Sequence, residues 1–243
     1  MRVILPSLAA AAMLCFVAAS ADAMPRLQRV IEARELRVCI WPDYYGVTYR
    51  NPKTRLLSGL DIDIAAELGK DLGVAVRFVD SSFPKLVERL VHDDCDIAMH
   101  SVGITPERRS QLLFTQPTMR SDVYAIASRS SAAVRRWEDL DKPGRVIAVQ
   151  AGTIMEPLMR KTLKQARLLA VQPPQTREQE VESGSADEFM SDFPYSQRML
   201  ALTDWARLVS APAPFHPLDY AYALAPGEAS LLNRVDVFID TIR

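Results

Sequence analysis

A chain of 243 residues with a formal net charge of −1 lacks the basic excess that a nucleic-acid partner requires, and no lysine or arginine block offers a hold on an anionic membrane surface. Hydrophobic residues make up 49% and charged residues 24%, the balance of a globular protein of one large or two small domains. His92, His100 and His216 are scattered and no C-x-x-C spacing occurs, so neither a metal nor another cofactor is expected.

The first stretch differs in kind from the rest. Met1-Arg2 is a short positive start, Val3 to Ala19 is almost wholly apolar, and Ala21-Asp22-Ala23 is a small-x-small ending. That layout predicts a secretory signal over residues 1–23, cleaved after Ala23. A membrane anchor fits less well, because the apolar run is marginal in length. Leu14 before Cys15 speaks against lipid attachment there. Export leaves Cys39 and Cys95, which in an oxidising compartment are either a disulfide or two buried thiols.

From Met24 the pattern predicts a short amphipathic helix to Glu35, then a strand over Leu36 to Ile40 ended by Trp41-Pro42-Asp43. Tyr44 to Ser58 reads as a loop with turn formers at Asn51-Pro52. Ile64, Leu68 and Leu72 fall on one helical face, and Gly73 stops that helix. Val74, Val76 and Phe78 alternate as a strand to Val79. Pro84 opens a helix carrying Leu86, Val87 and Leu90, and Asp96 to Met99 is a short buried strand. Strand, helix, strand, helix, strand predicts a parallel sheet wrapped by helices.

A second unit repeats the logic. It holds strand Val123 to Ala127, a helical turn Trp137 to Leu140, strand Arg145 to Gln150, and helix Met155 to Lys164 with Pro157 in its first turn. Strand Arg167 to Val171, helix Gln175 to Ser183, strand Asp187 to Met190 and helix Phe193 to Leu202 follow. The proline-rich Ala211 to Asp219 leads to strand Tyr220 to Leu224 and a helix over Ala229 to Ile242. Crossings near Thr118 to Val123 and Pro214 to Tyr220 thus join two α/β lobes, residues 24–119 with 215–243 and residues 120–214. A ligand cleft is expected between them, beyond the carboxyl ends of the strands.

Five strings carry a resemblance: "LRVCIWPDYYGVTYRN", "LSGLDIDIAAELGKDLGV", "CDIAMHSVGITPERRSQLLFTQP", "DLDKPGRVIAVQAGT" and "ESGSADEFMSDFPYS". In this order, behind a signal, the chain resembles a family 3 extracellular solute-binding protein, the receptor type of polar amino-acid ABC importers. The resemblance implies a two-lobed periplasmic-binding-protein fold that closes on a small carboxylate-bearing ligand. It also implies a monomer in the periplasm, a transient partner in an inner-membrane ABC permease, and no catalysis.

The same resemblance assigns site residues. The arginine of the T-P-E-R motif, Arg108, is expected to hold the ligand's carboxylate, for which a planar two-pronged cation is better suited than lysine. The alternative is a surface arginine paired with Glu107 or Glu88. Gly152-Thr153, where a strand gives way to a helix, would add backbone donors, and Ser101 a hydroxyl. Asp192 would receive an ammonium group, and it also suits a helix N-cap before Phe193-Pro194. Tyr44, Tyr45, Phe83 and His100 would form the pocket wall.

Departures from the family pattern fall at Tyr45-Gly46-Val47, His100 and Gly103, where a hydroxyl residue is common. The family also leads one to expect a further turn and helix after Arg243. Cyclohexadienyl dehydratases are similar to this family, and strings such as "DKPG" and "LKQAR" are similar to theirs. That rival needs a general acid in the cleft, for which Glu156 is the candidate if burial raises its pKa, although it sits one place later than the dehydratase pattern. A sensor or dehydrogenase-accessory role is the other alternative.

Overall fold

A computed structural model describes residues 24–243, and the signal expected over residues 1–23 lies outside the described residues. The chain begins with α1 (Arg26–Ala33) and β1 (Glu35–Ile40), followed by the short strands β2 (Asp43–Tyr44), β3 (Thr48–Arg50) and β4 (Leu57–Ser58). Then come α2 (Leu60–Leu72), β5 (Ala75–Asp80), a 3₁₀ turn at Phe83–Lys85, α3 (Leu86–Val91), β6 (Ile97–Gly103), α4 (Pro106–Arg109), β7 (Leu113–Phe114) and β8 (Met119–Ser121). The next unit contains β9 (Val123–Ser128), β10 (Val146–Gln150), α5 (Met155–Thr162), β11 (Arg167–Val171), α6 (Arg177–Glu182), β12 (Glu188–Asp192), α7 (Phe193–Leu202) and β13 (Ala206–Val209). The chain returns through β14 (Leu218–Leu224) and α8 (Ala229–Thr241).

Two sheets result, in the order β5-β1-β6-β14-β7 with β8 also on β14, and in the order β11-β10-β12-β9-β13. Each is parallel only in part. β5, β1 and β6 run parallel, as do β11, β10 and β12, whereas β14, β9 and β13 pair antiparallel with their neighbours. The antiparallel members are the strands on which the chain enters or leaves a lobe. The first sheet packs against α1, α2 and α8 through Leu36, Val38, Ile40, Leu68, Val235 and Phe238.

Several local differences from the sequence pattern have physical causes. Tyr44 to Ser58 is not a simple loop. Thr48 and Tyr49 are good strand formers, and Gly46 at φ +77 closes the turn that pairs Tyr44 with Thr48. The buried strand β6 runs on to Gly103, because β14 supplies ladder partners for Val102 and Gly103. In α2 the buried face is Asp61, Ile62, Ala65, Leu68 and Gly69, while Ile64 and Leu72 pack at its margin. Gly73 ends that helix in the left-handed conformation, φ 68.

Cys39 on β1 and Cys95 just before β6 are joined by a disulfide, Cα–Cα 5.7 Å. The crossings lie between Ser121 and Val123 and between Val209 and Leu218. Asp122 stitches them together: its carboxylate accepts from the backbone N–H of Val123 (2.7 Å), Phe215 (2.8 Å) and His216 (2.6 Å).

Candidate functional site

The carboxyl ends of β1, β6, β10 and β12 face one another, and the space between them is the cleft. Trp41, Tyr44, Phe83, Gly103 and Arg108 line it from the first lobe. Thr153, Met155, Arg177, Asp192 and Tyr195 line it from the second, and Tyr220 of β14 closes it at the crossing.

Arg108 is carried by the single turn of α4, which Thr105 caps by accepting from the Arg108 N–H at 3.2 Å. Its guanidinium lies 5.5 Å over the Phe83 ring. Nη1 donates to Gly103 O at 2.9 Å and Nη2 reaches across to Gly152 O at 3.0 Å. Among the described residues it forms no salt bridge, so the pairing with Glu107 or Glu88 is not made. Burial pushes its pKa down to about 10.

Asp192 ends β12 and caps α7, accepting from Tyr195 N–H at 3.1 Å. Its other oxygen accepts from the Tyr44 hydroxyl of the opposite lobe. Helix cap and cleft carboxylate are therefore one residue. At 4% exposure, burial raises its pKa, and the Tyr44 and Tyr195 donors restrain that rise. It too lacks a salt-bridge partner among the described residues. Among the described residues the Tyr220 hydroxyl, buried at the cavity wall near both Asp192 and Arg108, has no hydrogen-bond partner.

Gly152 and Thr153 stand where the sequence places them, yet their donors face the chain itself. Gly152, at φ +74, lies so close to Pro84 that an added Cβ would be 2.7 Å from its ring. Its N–H donates to Glu156 Oε2 at 3.0 Å, and the Thr153 hydroxyl donates to Gln150 O at 2.7 Å. The raised Glu156 pKa that the dehydratase alternative needs is not found: the Gly152 N–H and Arg160 hold this carboxyl below its ordinary value. Glu156 faces the outer groove with Pro157 and Arg160, and Met155 is the residue of this turn that enters the cavity.

Three other expected residues stand back from the cavity. Ser101 donates its hydroxyl to Asp61 Oδ2 at 2.8 Å, so the first lobe offers the cleft no hydroxyl at that position. Its backbone is left-handed, φ 46, and Tyr222 donates to the other Asp61 oxygen at 2.9 Å. His100 lies behind Phe83, ring centroids 5.1 Å apart, with Nδ1 3.3 Å from Cys39 O; burial pushes its pKa down to about 4. Tyr45 stacks on Tyr49 at 4.5 Å and lines an outer groove on the opposite rim. Tyr44 and Phe83 do line the cavity.

Trp41, Arg177, Tyr195 and Tyr220 join the site without having been singled out from sequence. Tyr220 starts the run that the sequence pattern reads as the return strand, which was a usable signal. Arg177 follows the capping-box residue Thr176 and looks there like any arginine at a helix start. Among the described residues no group of three His, Cys, Asp or Glu side chains is arranged to hold a metal ion.

Comparison with known proteins places this architecture. Over 205 residues the chain is 32% identical to the cyclohexadienyl dehydratase of Pseudomonas aeruginosa, spanning 84% of this chain and 76% of that protein. It is 28% identical to an arginine-binding periplasmic protein of Mannheimia haemolytica, over 58% of this chain and 56% of that protein. The crystal structure of the ancestral amino acid-binding protein AncCDT-1, a precursor of cyclohexadienyl dehydratase, superimposes with a TM-score of 0.81 at 29% identity, covering 89% of this chain and 92% of that one. Residues 36–243 match the family model of the bacterial extracellular solute-binding proteins, family 3. With two lobes meeting at a cleft between strand ends and a family match over most of its length, the chain belongs to the bacterial extracellular solute-binding proteins, family 3.

Proposed function

We propose that this protein is a periplasmic receptor that closes its two lobes on an α-amino acid and presents it, as a monomer, to an ABC importer of the inner membrane. One observation carries the reading. The cleft holds a cation, Arg108, and an anion, Asp192, on opposite lobes, and neither is in a salt bridge among the described residues, although the Arg177 charge reaches Asp192. A zwitterion offers each of them a direct ion-pair partner at once. Its carboxylate meets the Arg108 fork and the unpartnered Tyr220 hydroxyl, and its ammonium meets Asp192.

Closure follows from the same geometry. The closed state alone lets one ligand touch both lobes, so ligand favours it by the difference in contacts. Trp41, Phe83 and Tyr195 exclude water from the charges and strengthen them. Binding without catalysis is supported by Glu156, whose carboxyl is held ionised and faces the outer groove while apolar Met155 occupies the cavity wall.

The test is calorimetry on the mature chain with an α-amino acid, the same acid lacking its amine, and the same amine lacking its carboxylate. Only the zwitterion is expected to bind tightly, and to be recovered unchanged. Arg108→Ala is expected to cost about 3–5 kcal/mol, the usual scale for leaving one member of a buried pair alone. A truncated compound that binds as tightly as the zwitterion would refute the reading, and conversion of the ligand would favour the dehydratase alternative.

A further inference from the structure

The aromatic box on the second-lobe side of the cavity already contains a cation. Arg177 is 3% exposed and lines the cavity. Its guanidinium carbon lies 4.5 Å from the Tyr195 ring centroid, 5.0 Å from that of Phe189 and 5.9 Å from that of Trp41. Nη1 donates to Met190 O at 2.8 Å, and Nε lies 3.6 Å from Glu178 Oε1. The Tyr195 hydroxyl also interacts with the guanidinium, so Met190 O, Glu178 and Tyr195 together hold it in place. Asp192 is close enough to feel its charge, so Arg177 belongs to the same electrostatic unit as the amine site.

Aromatic faces grouped in this way attract a ligand cation through their quadrupoles. Here the protein's own guanidinium takes that place. A ligand side chain ending in an ammonium or guanidinium would find the box filled and a like charge beside it, which costs binding heavily in a dry cleft. A side chain ending in an oxygen acceptor would instead meet a fixed positive charge at the cavity wall, which favours it. Resting on the amino-acid reading above, we infer that Arg177 sets the side-chain class of the ligand: it rejects cationic amino acids and selects those ending in a carboxylate or carboxamide.

The experiment is a calorimetric panel on the mature wild-type chain with glutamate, aspartate, glutamine, asparagine, leucine, lysine and arginine, followed by Arg177→Met. An acid or amide is expected to bind at least about 100-fold more tightly than lysine or arginine, the scale of a like-charge clash in an interface. Carboxylate and carboxamide sources are separated by whether glutamate or glutamine leads. In Arg177→Met, affinity for that leading ligand is expected to fall at least about 10-fold relative to alanine, whose side chain does not reach the fork. Lysine or arginine binding as tightly as the acids and amides would overturn the inference while leaving the amino-acid reading intact, and leucine equal to glutamine would overturn its acceptor half. Silence across the whole panel would overturn both. Because Arg177 is buried and Arg177→Met can fail to fold, the wild-type panel is decisive on its own.

Discussion

The hydroxyl of Tyr44, on the small three-stranded sheet of one lobe, donates to the carboxylate of Asp192 on the other. With the Arg108 bond to Gly152 O it forms a pair of polar contacts across the cleft mouth. Both contacts use the residues proposed to bind ligand, so the interlobe contact and the binding chemistry are built from the same atoms.

Tyr44→Phe should weaken amino-acid binding. The Tyr44 donor stabilises the ionised form of Asp192, and without it burial raises this carboxyl further. A hydrogen bond to a charged group contributes about 1.5–3 kcal/mol, so the affinity loss should be roughly 10- to 150-fold. The loss should grow as pH falls, since more of Asp192 is then protonated. Calorimetry at a mildly acidic and a mildly basic pH checks both statements, and a loss independent of pH would contradict this account.

Glu188 should make the fold less stable as pH rises. It is 0% exposed in the second sheet, neither oxygen has a hydrogen-bond partner among the described residues, and burial raises its pKa from 4.5 to about 8. A carboxyl raised in the folded state contributes stability that is complete below its unfolded pKa and is lost as pH climbs through the folded one. The slope reaches about 1.4 kcal/mol per pH unit at most. Glu188→Gln, which keeps the shape and removes the titration, should flatten the profile between pH 6 and 8 and stabilise the protein at the upper end. Below that window a shallower dependence of the same sign should persist from Asp61, raised by burial to about 6. Urea midpoints across pH test this; an unchanged slope in the variant would reject it.

Removing the disulfide should destabilise the first lobe. Cys39 and Cys95 are 56 residues apart, a loop whose closure contributes about 4 kcal/mol on the chain-entropy account. Cys39→Ala with Cys95→Ala should therefore lower the urea midpoint strongly, and reductant should shift wild type but not the variant.

Gly103→Ala should impair closure more than folding. A Cβ there would sit 2.9 Å from Ile154 Cγ2 of the opposite lobe and 2.9 Å from Leu218 Cδ2 at the crossing. Overpacking of this kind costs about 1–3 kcal/mol, here borne mainly by the state in which the lobes meet. Ligand should dissociate faster while the ligand-free melting temperature changes little. An unaltered dissociation rate would show that the contact yields freely.

Long, periodic elements were legible in the sequence: β1, α2, β5 and the β10–α5 unit follow hydrophobic spacing and glycine or proline punctuation closely. The short strands β2, β4, β7, β8 and β13 were not, because a few residues become a strand only when a partner supplies the ladder. Within the site, the placing of Arg108 and Asp192 was readable because each sits in a local motif at an element's end. Arg177 was not, since its burial is created by Tyr195, Phe189 and Trp41, which come from elsewhere in the chain. The Ser101 hydroxyl was misdirected for the same reason: Ser101 is on β6, and its partner Asp61 arrives on α2.

Asp122 has a mechanical consequence. One carboxylate holds N–H groups on both segments that run between the lobes, so those segments are fastened at a common point. Two bodies fastened at one point cannot slide past or draw apart from each other without breaking charged hydrogen bonds, but they can still turn. The motion such a fastening permits is rotation about a fixed pivot, which is the movement that the proposed closure on a ligand needs.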